Sequence, residues 1–219
     1  MNYKFHELFT LLLNQHSVSS VNPNIDQSNM GVINLLAETF EGLGFQCELV
    51  PVHGYHEKAN LIATLGSGPG GLVLSGHTDT VPFDESLWDC NPLTMTNKDN
   101  RLYGLGATDM KGFFAIVHEA IQQFLVADLK QPLIILATAD EESSMEGART
   151  LAAQGKPKAR AAVIGEPTSL RPITMHKGIM MEGIHVQGQS GHSSNPALGH
   201  NALEAMHEVI GALIQFRLQ

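Results

Sequence analysis

Apolar residues recur at helical spacing over residues 4–15 and again over 30–43, where Ile33, Leu36 and Phe40 fall about one turn apart, so both segments are predicted helices. Gly42 and Gly44 close the second helix, and residues 45–52 then alternate as a strand. Two further strands are predicted at 60–65 and 72–75, joined by the turn-rich GSGPGG. Residues 82–101 read as a polar loop holding Trp88, Pro92 and a turn at 97–100. Helical spacing returns over 111–125, with Phe114, Val117, Ala120 and Ile121 on the inner face. The apolar run PLIILA (132–137) predicts a strand covered on both faces, 145–154 a helix, and 161–164 another buried strand. This alternation indicates a three-layer α/β domain.

Near residue 178 the pattern changes. Residues 180–187 alternate, with Ile184 and Val186 against Glu182, His185 and Gln187, as in a strand with one wet face. A long amphipathic helix is predicted over 202–216. A second, α+β domain is therefore expected to start here, with the chain stopping inside it. There is no internal repeat and no low-complexity tract.

At 219 residues the chain can bury one good core, or one domain and part of a second. A net charge of −9 leaves no basic stripe for nucleic acid or an anionic membrane. The apolar patch in the first fifteen residues is interrupted by His6, Glu7, Asn14 and Gln15, so it reads as an amphipathic helix and not a signal peptide. No apolar run reaches the ~20 residues that span a bilayer. Cys47 and Cys90 are isolated, which suits a reducing cytoplasm.

Four clusters of acidic residues or histidine fall where predicted strands end or helices begin, the place open α/β sheets put their sites. The first is SGHTD (75–79): His77 is a ligand type for zinc-like metals, and Asp79, two residues on, is placed to accept its other ring N–H or to orient it. The second is GLGATDMKG (104–112), where Asp109 stands at a helix start and, taken alone, reads better as a plain capping residue; neither the Rossmann nor the P-loop glycine spacing is present. The third, TADEE (138–142), places three adjacent carboxylates at a strand end, where cations offset their repulsion best. If extended, Glu141 and Glu142 point oppositely and do different jobs. In the fourth, GEPT (165–168), Glu166 taken alone is an ordinary loop residue. Together the four predict a metal site. Three carboxylates (Asp109, Glu142, Glu166) beside a neutral His77 are too acidic for one structural zinc and suit two divalent ions, Zn2+ or Co2+, with Asp109 the natural bridge.

SGHTDTVP (75–82), YGLGATDMKG (103–112), ATADEE (137–142) and GEPT (165–168) closely resemble the motifs of the M20 family of zinc amidohydrolases and peptidases, and the likeness runs essentially from end to end. Longer stretches such as VPFDESLWDCNP and GQSGHSSNPALGHNALEAM resemble the branch that hydrolyses the N-acetyl amide of N2-acetyl-L-ornithine; desuccinylases and aminoacylases of the family are the near alternatives. The resemblance implies a three-layer αβα catalytic domain with a mixed sheet (phosphorylase/hydrolase-like) over 1–178. It implies the start of an α+β ferredoxin-like lid and dimerisation domain over 179–219, and a homodimer at full length. It makes His77, Asp109 and Glu166 ligands of one metal, with Asp109 and Glu142 on the second. Glu141 matches the general base, and Asp79 the aspartate that orients the ligand histidine. His192 matches a residue that helps bind substrate across a dimer interface; its alternative is a surface histidine in a turn. The family places a further ligand histidine beyond the lid, and none of His176, His185, His200 or His207 lies in a matching motif. A truncated, inactive metal-binding fragment is thus an alternative to an active deacetylase.

Overall fold

A computed structural model describes residues 3–52, 57–123, 129–175, 177–178 and 182–218. The chain divides into two compact units, Met1–Pro172 and Ile173–Gln219.

The first unit is built on a five-stranded mixed sheet of order β1-β2-β6-β3-β7. β1 (Gln46–Pro51), β2 (Ala59–Leu65) and β6 (Leu133–Thr138) run antiparallel in turn, whereas β3 (Leu72–His77) is parallel to both β6 and β7 (Ala161–Ile164). Alternate side chains of β2 and β6 face opposite layers. Leu61, Ala63, Ile135 and Ala137 pack in one core with α1 (Phe5–Asn14), α2 (Met30–Glu41) and α3 (Gly112–Ile121). Ile62 and Ile134 pack with Leu151 of α4 (Glu146–Gln154) in the other. The expected three layers are present, with helices on both faces of the sheet.

The loop expected at 82–101 contains more structure. Residues Glu85–Leu87 form a 3-10 turn, and β4 (Thr96–Lys98) pairs with β5 (Arg101–Tyr103) as a hairpin. Asp99 and Asn100 turn it at φ 52° and 58°, the mirror-image turn that suits strand twist. Strands of three residues are too short to show a period. α3 ends at Ile121, and the last two residues of the expected helix, 124–125, lie outside the described residues. β7 is not buried as expected. Among the described residues it is an edge strand paired with β3 alone, and all four of its residues are exposed.

In the second unit an isolated antiparallel bridge joins Gln189 to His200, with both backbone bonds 2.9 Å long. α5 (Ala202–Arg217) follows, capped by Asn201, whose side chain accepts from the Leu203 N–H at 3.0 Å. The strand expected at 180–187 is not seen over its described residues. Residues 180–181 lie outside the described residues, and 182–187 have no regular structure. Alternation alone does not make a strand: no described segment pairs with 182–187. Among the described residues no helix is long and apolar enough to cross a membrane.

Candidate metal centre

β3 and β6 run parallel and end together, His77 opposite Thr138, so the turns that follow them meet at one edge of the sheet. The segment after β7 joins them where the Gly165 N–H bonds to the Ser75 carbonyl at 2.9 Å. Gly76 lets the start of α3 approach β3: a Cβ there would stand 2.9 Å from Met110 Cε and 3.1 Å from the Phe114 ring. Asp109 is thereby brought beside His77. The Asp109–Met110 peptide is cis. The helix cap is Lys111, not Asp109, which removes the plain capping role as the reason for an aspartate at this position.

His77 is buried. Its Nδ1 lies 2.9 Å from the backbone carbonyl of Asp79, a bond in which the ring N–H donates, and 3.6 Å from the Asp79 carboxylate, too far for a good hydrogen bond. A neutral ring donating from Nδ1 leaves a lone pair on Nε2. That atom faces Asp109 Oδ1 at 2.9 Å and Glu166 Oε1 at 3.9 Å. A lone pair and two carboxylates facing one another require a cation or a proton between them. Burial disfavours charge on the imidazole, but Asp79, Asp109 and Glu166 outweigh it and push its pKa up from 6.5 to about 10. The donor set of one imidazole and several carboxylates fits a divalent metal, whose charge would replace that proton.

Besides facing His77, Asp79 has a further task. Its carboxylate accepts the backbone N–H of Glu141 at 3.2 Å and of Glu142 at 3.0 Å. Burial raises its pKa, but His77 and these two N–H groups outweigh burial and hold it below the ordinary 3.8. Glu141 and Glu142 lie in a turn and not in an extended segment, so the argument that they point oppositely fails. Each reaches an oxygen to within 4.8 Å of a His77 ring nitrogen and of the other, and His77, Asp109 and Glu166 form a second such triplet. Burial raises the pKa of Glu142 and Glu166, and nearby carboxylates raise both further. Asp109 and Glu142 also line a cleft of about 540 Å³, walled by Val81, Trp88 and Tyr103, large enough for a small substrate.

His192 is exposed in the second unit, in a turn where its Nδ1 lies 2.7 Å from Ser194 Oγ.

A set of buried polar residues behind the cluster escaped the sequence. Asn29 donates to the Ala59 carbonyl and Thr78 Oγ1, each at 2.8 Å. Asn60 accepts from the Ala139 N–H at 3.0 Å and donates to the Gly147 carbonyl at 3.0 Å. Lys58 bonds Asp140 and Asp26. Lys58 and Asn60 merely flank an apolar run in the sequence, and periodicity does not mark them.

The profile of peptidase family M20/M25/M40 matches residues 73–217. The chain belongs to that family. Membership implies use of a divalent metal, for which the two acidic triplets around His77 offer donors. Proteins named acetylornithine deacetylase from Photorhabdus laumondii and Klebsiella pneumoniae are 54% and 53% identical to it, over 99% and 97% of this chain. The chain spans only 57% and 56% of their lengths. Among solved M20-type folds, human carnosine dipeptidase 1 superposes with a TM-score of 0.63 at 24% identity, over 73% of this chain and 38% of its own. A tripeptidase from Staphylococcus aureus gives 0.63 at 19%, over 95% of this chain and 55% of its own. These structures support the fold alone.

Proposed function

We propose that this chain carries the metal-binding half of an amidohydrolase that cleaves the N-acetyl amide of N2-acetyl-L-ornithine to acetate and L-ornithine, a step of arginine biosynthesis. The chemistry rests on one observation: Nε2 of His77 faces Asp109 and Glu166 while Glu141 and Glu142 close the same cluster. The choice of substrate rests on the 54% identity to a protein named for it.

His77, Asp109 and Glu166 would hold one cation, and Asp109 with Glu142 the second. When bound, Zn2+ or Co2+ would supply Lewis acidity, a water of pKa ~7 and positive charge where the carbonyl oxygen becomes negative. Glu141 takes the proton of the attacking water, whose oxygen bonds the acetyl carbon. It returns that proton to the amide nitrogen as the carbon–nitrogen bond breaks, so the poor leaving group departs as a neutral amine. Asp79 holds the peptide N–H groups of both glutamates and so fixes where the base and the ligand start.

In the same reading residues 1–178 are the N-terminal part of the catalytic domain and 179–219 begin a lid and dimerisation domain. His192 would contact substrate in a homodimer. The small N-acetylated amino acid enters the cleft beside Trp88, and neither nucleic acid nor membrane is a partner. The two free cysteines support a cytoplasmic location.

The test is release of free amine from N2-acetyl-L-ornithine, N-succinyl-diaminopimelate and other N-acetylamino acids. It is run on this chain and on a chimera continued beyond Gln219 with the C-terminal part of the Photorhabdus laumondii relative. The chimera is expected to favour acetylornithine in kcat/KM by at least about tenfold, the cost of misplacing one small apolar group. Preference for a succinylated amine would overturn the assignment. Metal bound without turnover in the chain, with turnover in the chimera, fits a metal half that needs the remainder.

A further inference from the structure

Behind the acidic turn lies a buried ion network that touches neither cleft nor cluster. Lys58, the residue before β2, is 5% exposed. Its Nζ donates to Asp140 Oδ1 at 2.6 Å and to Asp26 Oδ1 at 2.7 Å. Asp140 is itself 2% exposed and immediately precedes the base and the ligand, Glu141 and Glu142. The same Oδ1 accepts from Ser19 Oγ at 3.0 Å, and Ser19 also contacts Ser143 inside the turn. Oδ2 of Asp140 is buried with no hydrogen-bond partner among the described residues. Compensation of this charge therefore falls on the Lys58 contact.

The backbone of Asp140 is equally committed. It sits at φ 58°, and its carbonyl accepts the Met145 N–H at 2.7 Å, closing the turn. The turn is thus held from two sides. Asp79 takes the N–H groups of Glu141 and Glu142 from the metal side, and Lys58 takes the Asp140 side chain from behind. A buried lysine–aspartate pair is an expensive way to add stability, because desolvation offsets most of the attraction. Its geometric consequence is specific: it fixes one carboxylate so that the next two face the cluster.

We propose that Lys58 is a positioning residue, acting through Asp140 on Glu141 and Glu142. It rests on the two-cation reading above. The set His77, Asp109 and Glu166 stands on the turns after β3 and β7 and before α3, none of which Lys58 holds. Loosening Lys58 therefore weakens the second cation, which depends on Glu142, and spares the first.

The experiment is calorimetric titration of the intact chain with Zn2+, comparing wild type with the double variant Lys58→Met/Asp140→Asn, which removes both buried charges together and leaves only the partly exposed Asp26 without its cation. The expected result is first-cation affinity within about threefold of wild type and second-cation affinity about 10–100-fold lower, the range for losing support behind a ligand. Lys58→Arg, which keeps a cation on Asp140, is expected to retain most of the second affinity. Unchanged second-cation affinity in the double variant overturns the proposal. So does a parallel loss at both sites accompanied by a lower melting temperature, the mark of a merely structural pair. If wild type takes up a single cation, the two-cation reading fails first, and is seen to fail before any variant is compared.

Discussion

Replacing Asp79 by asparagine changes one charge and almost no volume at a residue that is 1% exposed. In the native turn its two oxygens accept the N–H groups of Glu141 and Glu142 at 3.2 and 3.0 Å, and its charge stands 3.6 Å from the His77 ring. Asparagine keeps one acceptor and aims an NH2 group at the other N–H. One hydrogen bond to a charged group, about 1.5–3 kcal/mol, is lost, the other weakens towards a neutral bond of about 1 kcal/mol, and a buried donor is left unpaired. The expected destabilisation is about 2–4 kcal/mol, which for a chain of this size lowers Tm by roughly 4–16 °C. Burial works against the Asp79 charge, but His77 and the two N–H groups hold its pKa below 3.8. Its contribution is therefore complete above that pH and lost only in acid, so measurement at neutral pH sees all of it. Metal affinity should fall about 10–100-fold as both glutamates lose their anchor. Calorimetric Zn2+ titration and a thermal melt of the same sample read both. An Asp79→Asn chain that melts and binds Zn2+ like wild type would refute the role given to this carboxylate.

Other outcomes follow from the same geometry. Glu141→Ala should keep Zn2+ affinity within about tenfold while turnover by the chimera falls at least about 100-fold, the scale of a lost general base; near-normal hydrolysis would sink that role. Zn2+ must displace the proton that His77 holds up to about pH 10 in the free chain, so its affinity should rise by up to about tenfold per pH unit until that pH is reached. The sign follows from the raised pKa: the proton stabilises the metal-free fold fully below 6.5 and is lost as pH climbs through about 10. Lys111, buried and lowered to about 8, acts in the opposite sense in both states, so the comparison to make is loaded minus metal-free Tm, which should widen with pH. Gly112→Ala would drive a Cβ into the Ala107 carbonyl beside the Asp109 turn, with an expected loss of about 1–3 kcal/mol read as a lower Tm.

The strands and helices that carry the site were legible because each buries a face long enough to show its period. α2 puts Ile33, Leu36 and Phe40 into the core, and β6 is the apolar run it appeared to be. His77, Asp109, Glu141, Glu142 and Glu166 were legible as strand-end chemistry, and the structure brings all five together. What pattern could not show is pairing. β7 reads as apolar yet lies at an edge, and 182–187 alternates yet has no partner among the described residues. The added bonds of Asp79 to Glu141 and Glu142 join residues more than sixty positions apart, a relation absent from local spacing. The pairing of Asp140, legible only as one of three clustered carboxylates, with Lys58 is hidden for the same reason, since a buried ion pair between distant segments looks like two separate charges until the chain is folded.

In the proposed function, four separate turns make one two-cation site shared through Asp109. The direct measurement is metal stoichiometry of the purified chain by elemental analysis after equilibrium dialysis against Zn2+ or Co2+, for wild type and Asp109→Ala. Wild type is expected to take up about two equivalents of unequal affinity, with both lost or strongly weakened in Asp109→Ala because the bridge serves each. An Asp109→Ala chain that still takes up two equivalents, or a wild-type chain that takes up none, would contradict it.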